Sequence, residues 1–456
     1  MSSKLVFETC APRPDVLLGQ TRDDHFMADL AKVVNRTALA DYGDPATFFS
    51  RTHPTRGLRE LLKAVCKRLS PQGGEVASII RLHTQYGGGK THGLIALTHA
   101  VRGMQRVESP EEFVDPALLP KEGNVRVAAL DGENADPANG LTLETDLRAY
   151  SIWGEMAYQL AGRDGYERVR ESDRNHIAPG AETIRELFGG EPTLIMLDEI
   201  SVYLRKVERA HPGAAAQFTA FIHALIKAVA SSPQAALVVT LAIGKDHQTP
   251  DAYQGEQTRA LEAFEEAEKV VSRGATQLNP TEEDETVDVL RRRLFEQVDM
   301  SGVDDLVQEF AALWDKNREL LPEGITSVGL RELFRKSYPF HPELLTLLTE
   351  KTATLSTFQR TRGMLRLLAR TVHSLWEQQP ADALVIHPHH IALGSSAIRE
   401  EILVRLEQQD YTPPLKADVE AVTSDEDRAL AQDLDARHYP SQAPLTSFSR
   451  YVRCCS

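Results

Sequence analysis

The chain has 456 residues, 42% of them apolar and 26% charged, with a net charge of −15. That length supports two or three domains with buried cores, and the acidic balance excludes a uniformly basic nucleic-acid binder while leaving room for a local basic groove. No apolar run reaches the roughly 18 residues of a membrane span, no secretory leader pattern opens the chain, and the four cysteines form no C-x-x-C pair, so the expectation is a cytoplasmic protein with reduced thiols and no membrane contact.

Residues 1–70 read as an N-terminal helical element. Leu58, Leu61, Leu62, Val65 and Leu69 recur at helical spacing, while Arg59, Lys63 and Lys67 fall four apart on a face that reads as solvated. From Gly73 the pattern changes. Strands are predicted at 76–82, 125–130, 193–197 and 235–243, with helices at 91–102, 146–161 and 215–230 between them. Strands alternating with helices imply an α/β fold, a parallel sheet with helices on both faces, over 71–278. Residues 110–123 and 164–180 read as loops or insertions. Beyond Leu278 strand signals fade, and helices are expected at 283–297, 330–337, 342–355 and 363–376, giving a helical domain over 279–378. Residues 379–456 read as a mixed C-terminal segment with one helix around 397–408 and an end without periodicity.

The run Thr84-Gln85-Tyr86-Gly87-Gly88-Gly89-Lys90-Thr91 lies between a predicted strand and a predicted helix. Gly87, Gly88 and Gly89 let backbone N–H groups curl around phosphates at the positive end of the helix. Lys90 would reach the β- and γ-phosphates of ATP, and Thr91 would offer its hydroxyl to Mg²⁺. Against G-x-x-x-x-G-K-[ST] the run departs at Thr84, where the first glycine is expected. A second motif supports the first. Thr193-Leu194-Ile195-Met196-Leu197-Asp198-Glu199 is an apolar strand ending in two carboxylates, which a parallel sheet delivers to its ligand-binding edge. Asp198 would hold Mg²⁺, and Glu199 would orient or deprotonate the water that attacks the γ-phosphate.

Thr240 is polar inside the apolar 235–243 run, so it either bonds the attacking water or is satisfied by backbone. Arg366, near a predicted helix start, reads as a γ-phosphate sensor or as part of a surface cluster with Arg360, Arg362 and Arg370. Asp131-Gly132-Glu133 after a strand reads as a turn or as an edge of the nucleotide site. His387-Pro388-His389-His390 reads as a polar turn rather than a metal site, having no cysteine or acidic residue at zinc spacing.

These motifs, in this order, resemble an AAA+-type P-loop ATPase. The resemblance implies a helical lid after the sheet, opened by Leu278-Asn279-Pro280-Thr281-Glu282-Glu283, with Thr240 as first sensor and Gly363-Met364-Leu365-Arg366 as lid sensor. It also implies an arginine finger from a neighbouring subunit, sought at Arg273, and hence a homo-oligomer. Cys10-Ala11-Pro12-Arg13-Pro14-Asp15-Val16-Leu17, Tyr86 to His92, Ser151-Ile152-Trp153-Gly154-Glu155, Tyr338-Pro339-Phe340-His341-Pro342-Glu343-Leu344 and Phe358 to Gly363 resemble more closely a bacterial ATPase family described only as a domain of unknown function. That family includes the PglY-type ATPases of bacteriophage exclusion systems. The resemblance covers about residues 10–418 and implies partners in antiphage defence such as a DNA methyltransferase. Its members are longer, which implies a C-terminally truncated member here. The leading expectation is an ATPase that drives conformational change in such a complex. The alternatives are a nucleotide-gated DNA-binding module using the basic clusters at 51–68, 291–293 and 360–370, or a scaffold with ATP as structural ligand.

Overall fold

Ile195 and Leu197 point into one hydrophobic core, and Leu194 and Met196 into another. A strand buried on both sides needs cover on both faces, which a parallel sheet obtains from its crossover helices. The computed structural model describes residues 4–20, 23–71, 76–84, 89–104, 106–242, 254–269, 275–316, 327–351 and 360–391, together with 395 and 398. Among them are the strands β1 (Cys10–Pro12), β2 (Ile79–Thr84), β3 (Arg126–Asp131), β4 (Leu141–Glu144), β5 (Leu147–Ala149), β6 (Thr193–Asp198), β7 (Ala235–Ala242), β8 (Thr276–Leu278) and β9 (Phe295–Val298). The chain divides into two units, Ala28–Glu285 and Met1–Met27 with Thr286–Ser456.

In the first unit β3, β6, β7, β2 and β8 lie side by side in that order, all parallel. One face packs Ile79, Ala128 and Leu237 against Trp153, Met156 and Phe221 from helices Ile152–Arg174 and Ala214–Ala230. The other packs Ile80, Leu82 and Val238 against Phe48, Leu61, Val65 and Leu94. Residues 28–70, read from sequence as part of a separate element, therefore complete this second core. Without them much of the cover over Ile80, Leu82 and Val238 would be lost. Arg59, Lys63 and Lys67 are exposed on the Arg56–Leu69 helix, as their spacing suggested. Arg68, on the same helix, is buried instead; it donates to the carbonyls of Ala235 (2.8 Å), Ser232 (2.6 Å) and Val76 (3.2 Å), fixing where β7 begins.

The edge strand β3 is covered by a side chain. Gln159 accepts the Ala129 N–H at 2.8 Å and donates to the Ala129 carbonyl at 3.0 Å, pairing the edge as a neighbouring strand would. β3, β6 and β7 fall within a residue of their predicted bounds, Ile243 lying outside the described residues. β2 starts three residues later than predicted, at Ile79.

Two expectations fail between β3 and β6. The helix predicted at 146–161 starts only at Ile152, because Leu147–Ala149 pairs with Leu141–Glu144 and Ser151 caps the helix, accepting the Gly154 N–H at 3.2 Å. The stretch 164–180, predicted as loop, is helical to Arg174. Non-helical dihedrals at Ala161 and Gly162 break the apolar period and hide the continuation from a sequence reading. The edge strand β8 and helix Gln254–Lys269 were also not legible from pattern.

In the second unit, helices Thr286–Leu294, Val303–Lys316, Ser327–Ser337, Pro342–Thr346 and Arg360–Gln378 surround a core that includes Leu290, Phe334, Phe340, Leu368 and Val372. The helix predicted at 283–297 stops at Leu294, since Phe295–Val298 leaves it to pair antiparallel with Cys10–Pro12. That long-range pairing gives no local signal. The helix predicted at 342–355 runs only to Thr346, followed by a wider turn over Leu347–Lys351; residues 352–355 lie outside the described residues. The predicted helix at 397–408 lies, except for Ile398, outside them too. His387 to His390 form a short 3-10 turn in which His390 Nδ1 accepts the His387 N–H at 3.0 Å; burial pushes the His390 imidazole down to about 3. No helix among the described residues is long and apolar enough to cross a membrane.

Candidate functional site at the C-terminal edge of the parallel sheet

The strand order puts the ends of β2, β7 and β6 next to one another. β2 leads toward the glycine run. Of that run Gly87 and Gly88 lie outside the described residues, as do Gln85 and Tyr86. Gly89 is described, with a left-handed backbone (φ 81, ψ 15) that glycine adopts at little cost, and it caps helix Lys90–Val101. The first N–H groups of that helix therefore open beside the sheet edge.

Asp198, the last residue of β6, is 2% exposed and engages two hydroxyls, one from helix Lys90–Val101 and one from β7. Thr91 Oγ1 donates to Asp198 Oδ2 at 2.8 Å, and Thr240 Oγ1 donates to Asp198 Oδ1 at 2.5 Å. Thr240 also accepts the Glu199 N–H at 3.3 Å. Glu199 takes the left-handed conformation (φ 49, ψ 40), which costs a non-glycine residue on the order of 1–3 kcal/mol and persists only where its surroundings hold it. Thus Thr91, Asp198, Glu199 and Thr240, drawn from three separate stretches of sequence, form one hydrogen-bonded group. Lys90, 6% exposed, lies within electrostatic reach of both carboxylates.

Burial dominates the proton affinities. It lowers that of Lys90, with Glu199 and Asp198 opposing the shift. It raises the Glu199 carboxyl to about 7, helped by the Asp198 charge and resisted by Lys90. Burial likewise lifts Asp131, at the end of β3, to about 6, and Glu155 to about 7. An oxygen donor set of hydroxyl and carboxylate, such as Thr91 and Asp198 provide, suits Mg²⁺.

Asn279-Pro280-Thr281 stays within this unit, close against two helix starts. Thr55 Oγ1 donates to the Pro280 carbonyl at 2.5 Å, and a Cβ on Gly57 would lie 1.7 Å from the Asn279 carbonyl oxygen. A Cβ on Gly89 would stand 3.2 Å from Thr281 Oγ1.

Arg366 belongs to the other unit, buried inside helix Arg360–Gln378. Arg273 lies outside the described residues. The arginines of the basic clusters are largely engaged within the protein: Arg51 with Asp41 at 3.1 Å, Arg56 with Asp284 at 2.6 Å and Arg291 with Asp288 at 2.7 Å.

Sequence reasoning placed Gly132 in a turn or at an edge of the nucleotide site without its contact to Glu199, and gave no role to Glu155 or Gln159. Gly132 follows β3 at the ligand edge, the position where a missing side chain signals close backbone approach. The signal for Glu155 was an acidic residue within the apolar stripe of Ile152, Trp153 and Met156.

Residues 7–277 match the DUF499 N-terminal domain, and residues 281–438 match the DUF499 second domain. No curated protein and no solved structure matches the chain.

Proposed function

The chain belongs to the DUF499 family, a two-domain family of unknown function, and from that premise we propose that it is a P-loop NTPase of AAA+-like fold that binds ATP and hydrolyses it to ADP and phosphate. The observation that carries this reading is the double bond-sharing at Asp198, where the hydroxyl that opens helix Lys90–Val101 and the hydroxyl of Thr240 meet one buried carboxylate. Phosphate sites of this kind need a helix start, a lysine and a strand-end acid in contact, and all three stand at the same sheet edge.

In this reading Gly87, Gly88, Gly89 and the first N–H groups of the helix bind the phosphates, with Lys90 as the neutralising cation. Thr91 and Asp198 would hold Mg²⁺, which would supply positive charge to offset the negative charge of the phosphates. Glu199 orients the attacking water and, with its carboxyl near 7, accepts a proton at a carboxylate oxygen. Thr240 keeps Asp198 and the Glu199 backbone in register. We further propose that hydrolysis drives conformational change in a bacterial antiphage or DNA-modification complex alongside proteins such as a DNA methyltransferase. The support for that role is the resemblance of the Ser151 to Glu155 and Tyr338 to Leu344 segments to a bacterial family whose members include the PglY-type ATPases.

The test is magnesium-dependent ATP turnover by the full chain. Lys90→Ala is expected to lose ATP affinity, and Glu199→Gln to keep ATP bound while losing turnover. A wild-type protein that binds no ATP, or a Lys90→Ala variant that turns over like wild type, would end this reading.

A further inference from the structure

Glu199 is held in its left-handed turn from two sides. On one side Thr240 of β7 accepts its N–H. On the other, Gly132 meets its carbonyl. A Cβ built on Gly132 would lie 2.1 Å from the Glu199 carbonyl oxygen, 2.8 Å from the carbonyl carbon and 3.0 Å from the Tyr203 nitrogen. Gly132 also donates its N–H to the Asp198 carbonyl at 2.9 Å. Its own backbone is not in the left-handed region, so glycine is required here for space alone.

We propose that Gly132 is a positioning residue for Glu199, fixing the peptide that follows it and so the direction of its carboxylate. The inference rests on the ATPase reading of this site. The loop after Gly132 is tied to the same element: Lys206, on the helix that starts immediately after Glu199, donates to the carbonyls of Glu133 and Ala135. Loop, glycine and acidic turn are therefore joined by direct contacts. A displacement of the 133–135 loop would reach Glu199 through the backbone contact at Gly132.

A methyl group at position 132 must push the Glu199 peptide away, and misplacing a reacting group by about 1 Å costs on the order of a hundredfold in rate. Gly132→Ala in the full chain is thus expected to lower kcat about a hundredfold while ATP affinity stays within about threefold of wild type. Measured by single-turnover hydrolysis in a Glu199→Gln background, the same substitution is expected to remove nothing further, because its effect passes through Glu199. A merely structural role would instead multiply the losses in both backgrounds. Lys206→Met leaves the core intact and provides a second route if Gly132→Ala does not fold. It is expected to lower kcat several-fold, and that loss too is expected to vanish with Glu199→Gln. Wild-type kcat in Gly132→Ala overturns the proposal, as do equal losses in both backgrounds. If Gly132→Ala does not fold, wild-type kcat in Lys206→Met overturns it. A wild-type protein without turnover fails the ATPase reading itself, which separates the two outcomes.

Discussion

The Thr240 hydroxyl gives its single proton to Asp198 Oδ1 at 2.5 Å. The polar residue inside β7 is thus engaged by the strand beside it, and the Glu199 N–H occupies one of its lone pairs. Thr240→Val keeps the shape but takes from the buried Asp198 carboxylate one of its two hydroxyl donors and from the Glu199 N–H its acceptor. Leaving such groups short of a bond costs about 1–3 kcal/mol, so the urea midpoint should fall by a matching amount. Thr240→Ser, which keeps the hydroxyl, should recover most of that loss. On the ATPase reading proposed above, the same pair of variants, assayed for turnover, should separate in kcat more than in KM, since Thr240 bonds both Asp198 and the Glu199 backbone.

Glu155 carries a stability prediction with a definite sign. Its carboxyl rises from 4.5 to about 7, chiefly through burial, with the Asp131 charge adding to the effect and the bond from Gln159 opposing it. Between those values the folded protein holds a proton that the unfolded chain has released, so stability falls as pH rises through that window. The contribution is fully present below about 4.5 and lost above about 7, at a slope approaching 1.4 kcal/mol per pH unit. Glu155→Gln retains the oxygen that accepts from Gln159 at 2.9 Å and removes the charge. Thermal unfolding of the variant should show a flatter profile across this range and a higher melting temperature than wild type at pH 8. An unchanged pH profile would contradict the assignment.

Asp173 explains Ser151 and Gly154 within the Ser151 to Glu155 segment. Its fully buried carboxylate accepts the Tyr150 N–H (3.0 Å), the Ser151 N–H (2.8 Å), the Ser151 hydroxyl (2.5 Å) and the Tyr166 hydroxyl (2.9 Å). Gly154 must be glycine because a Cβ there would stand 2.3 Å from Asp173 Oδ1. Asp173→Ala orphans the Tyr150 and Ser151 N–H groups and the Ser151 hydroxyl, while the Tyr166 hydroxyl keeps the Arg148 carbonyl at 2.8 Å; the change should cost about 3 kcal/mol or more, read as a lowered urea midpoint. Asp173→Asn keeps one acceptor oxygen and should lose less.

The sequence by itself determined the alternation of strands and helices, the candidate phosphate-binding run and the acidic strand end. These are local properties: apolar period, glycine clusters and charge at the end of a buried run. It also made Glu199 a candidate and flagged Thr240 as an oddity within a strand, leaving the hydroxyl's partner open. Only the tertiary structure decided that partner, because strand order is set by packing across the whole sheet and not by neighbours in the chain. The same holds for residues 28–70, whose apolar stripe was legible but whose destination, the second face of the sheet, was not. Residues 164–174 were misread because Ala161 and Gly162 break a helix that resumes beyond them. β9 was missed because its partner is near the start of the chain. The candidate phosphate site follows the same division. Chemistry-bearing residues such as Lys90, Thr91, Asp198 and Glu199 announce themselves by type and spacing. Gly132 does not, since what it contributes is an absent side chain, and that has meaning only once the Glu199 carbonyl has been placed against it.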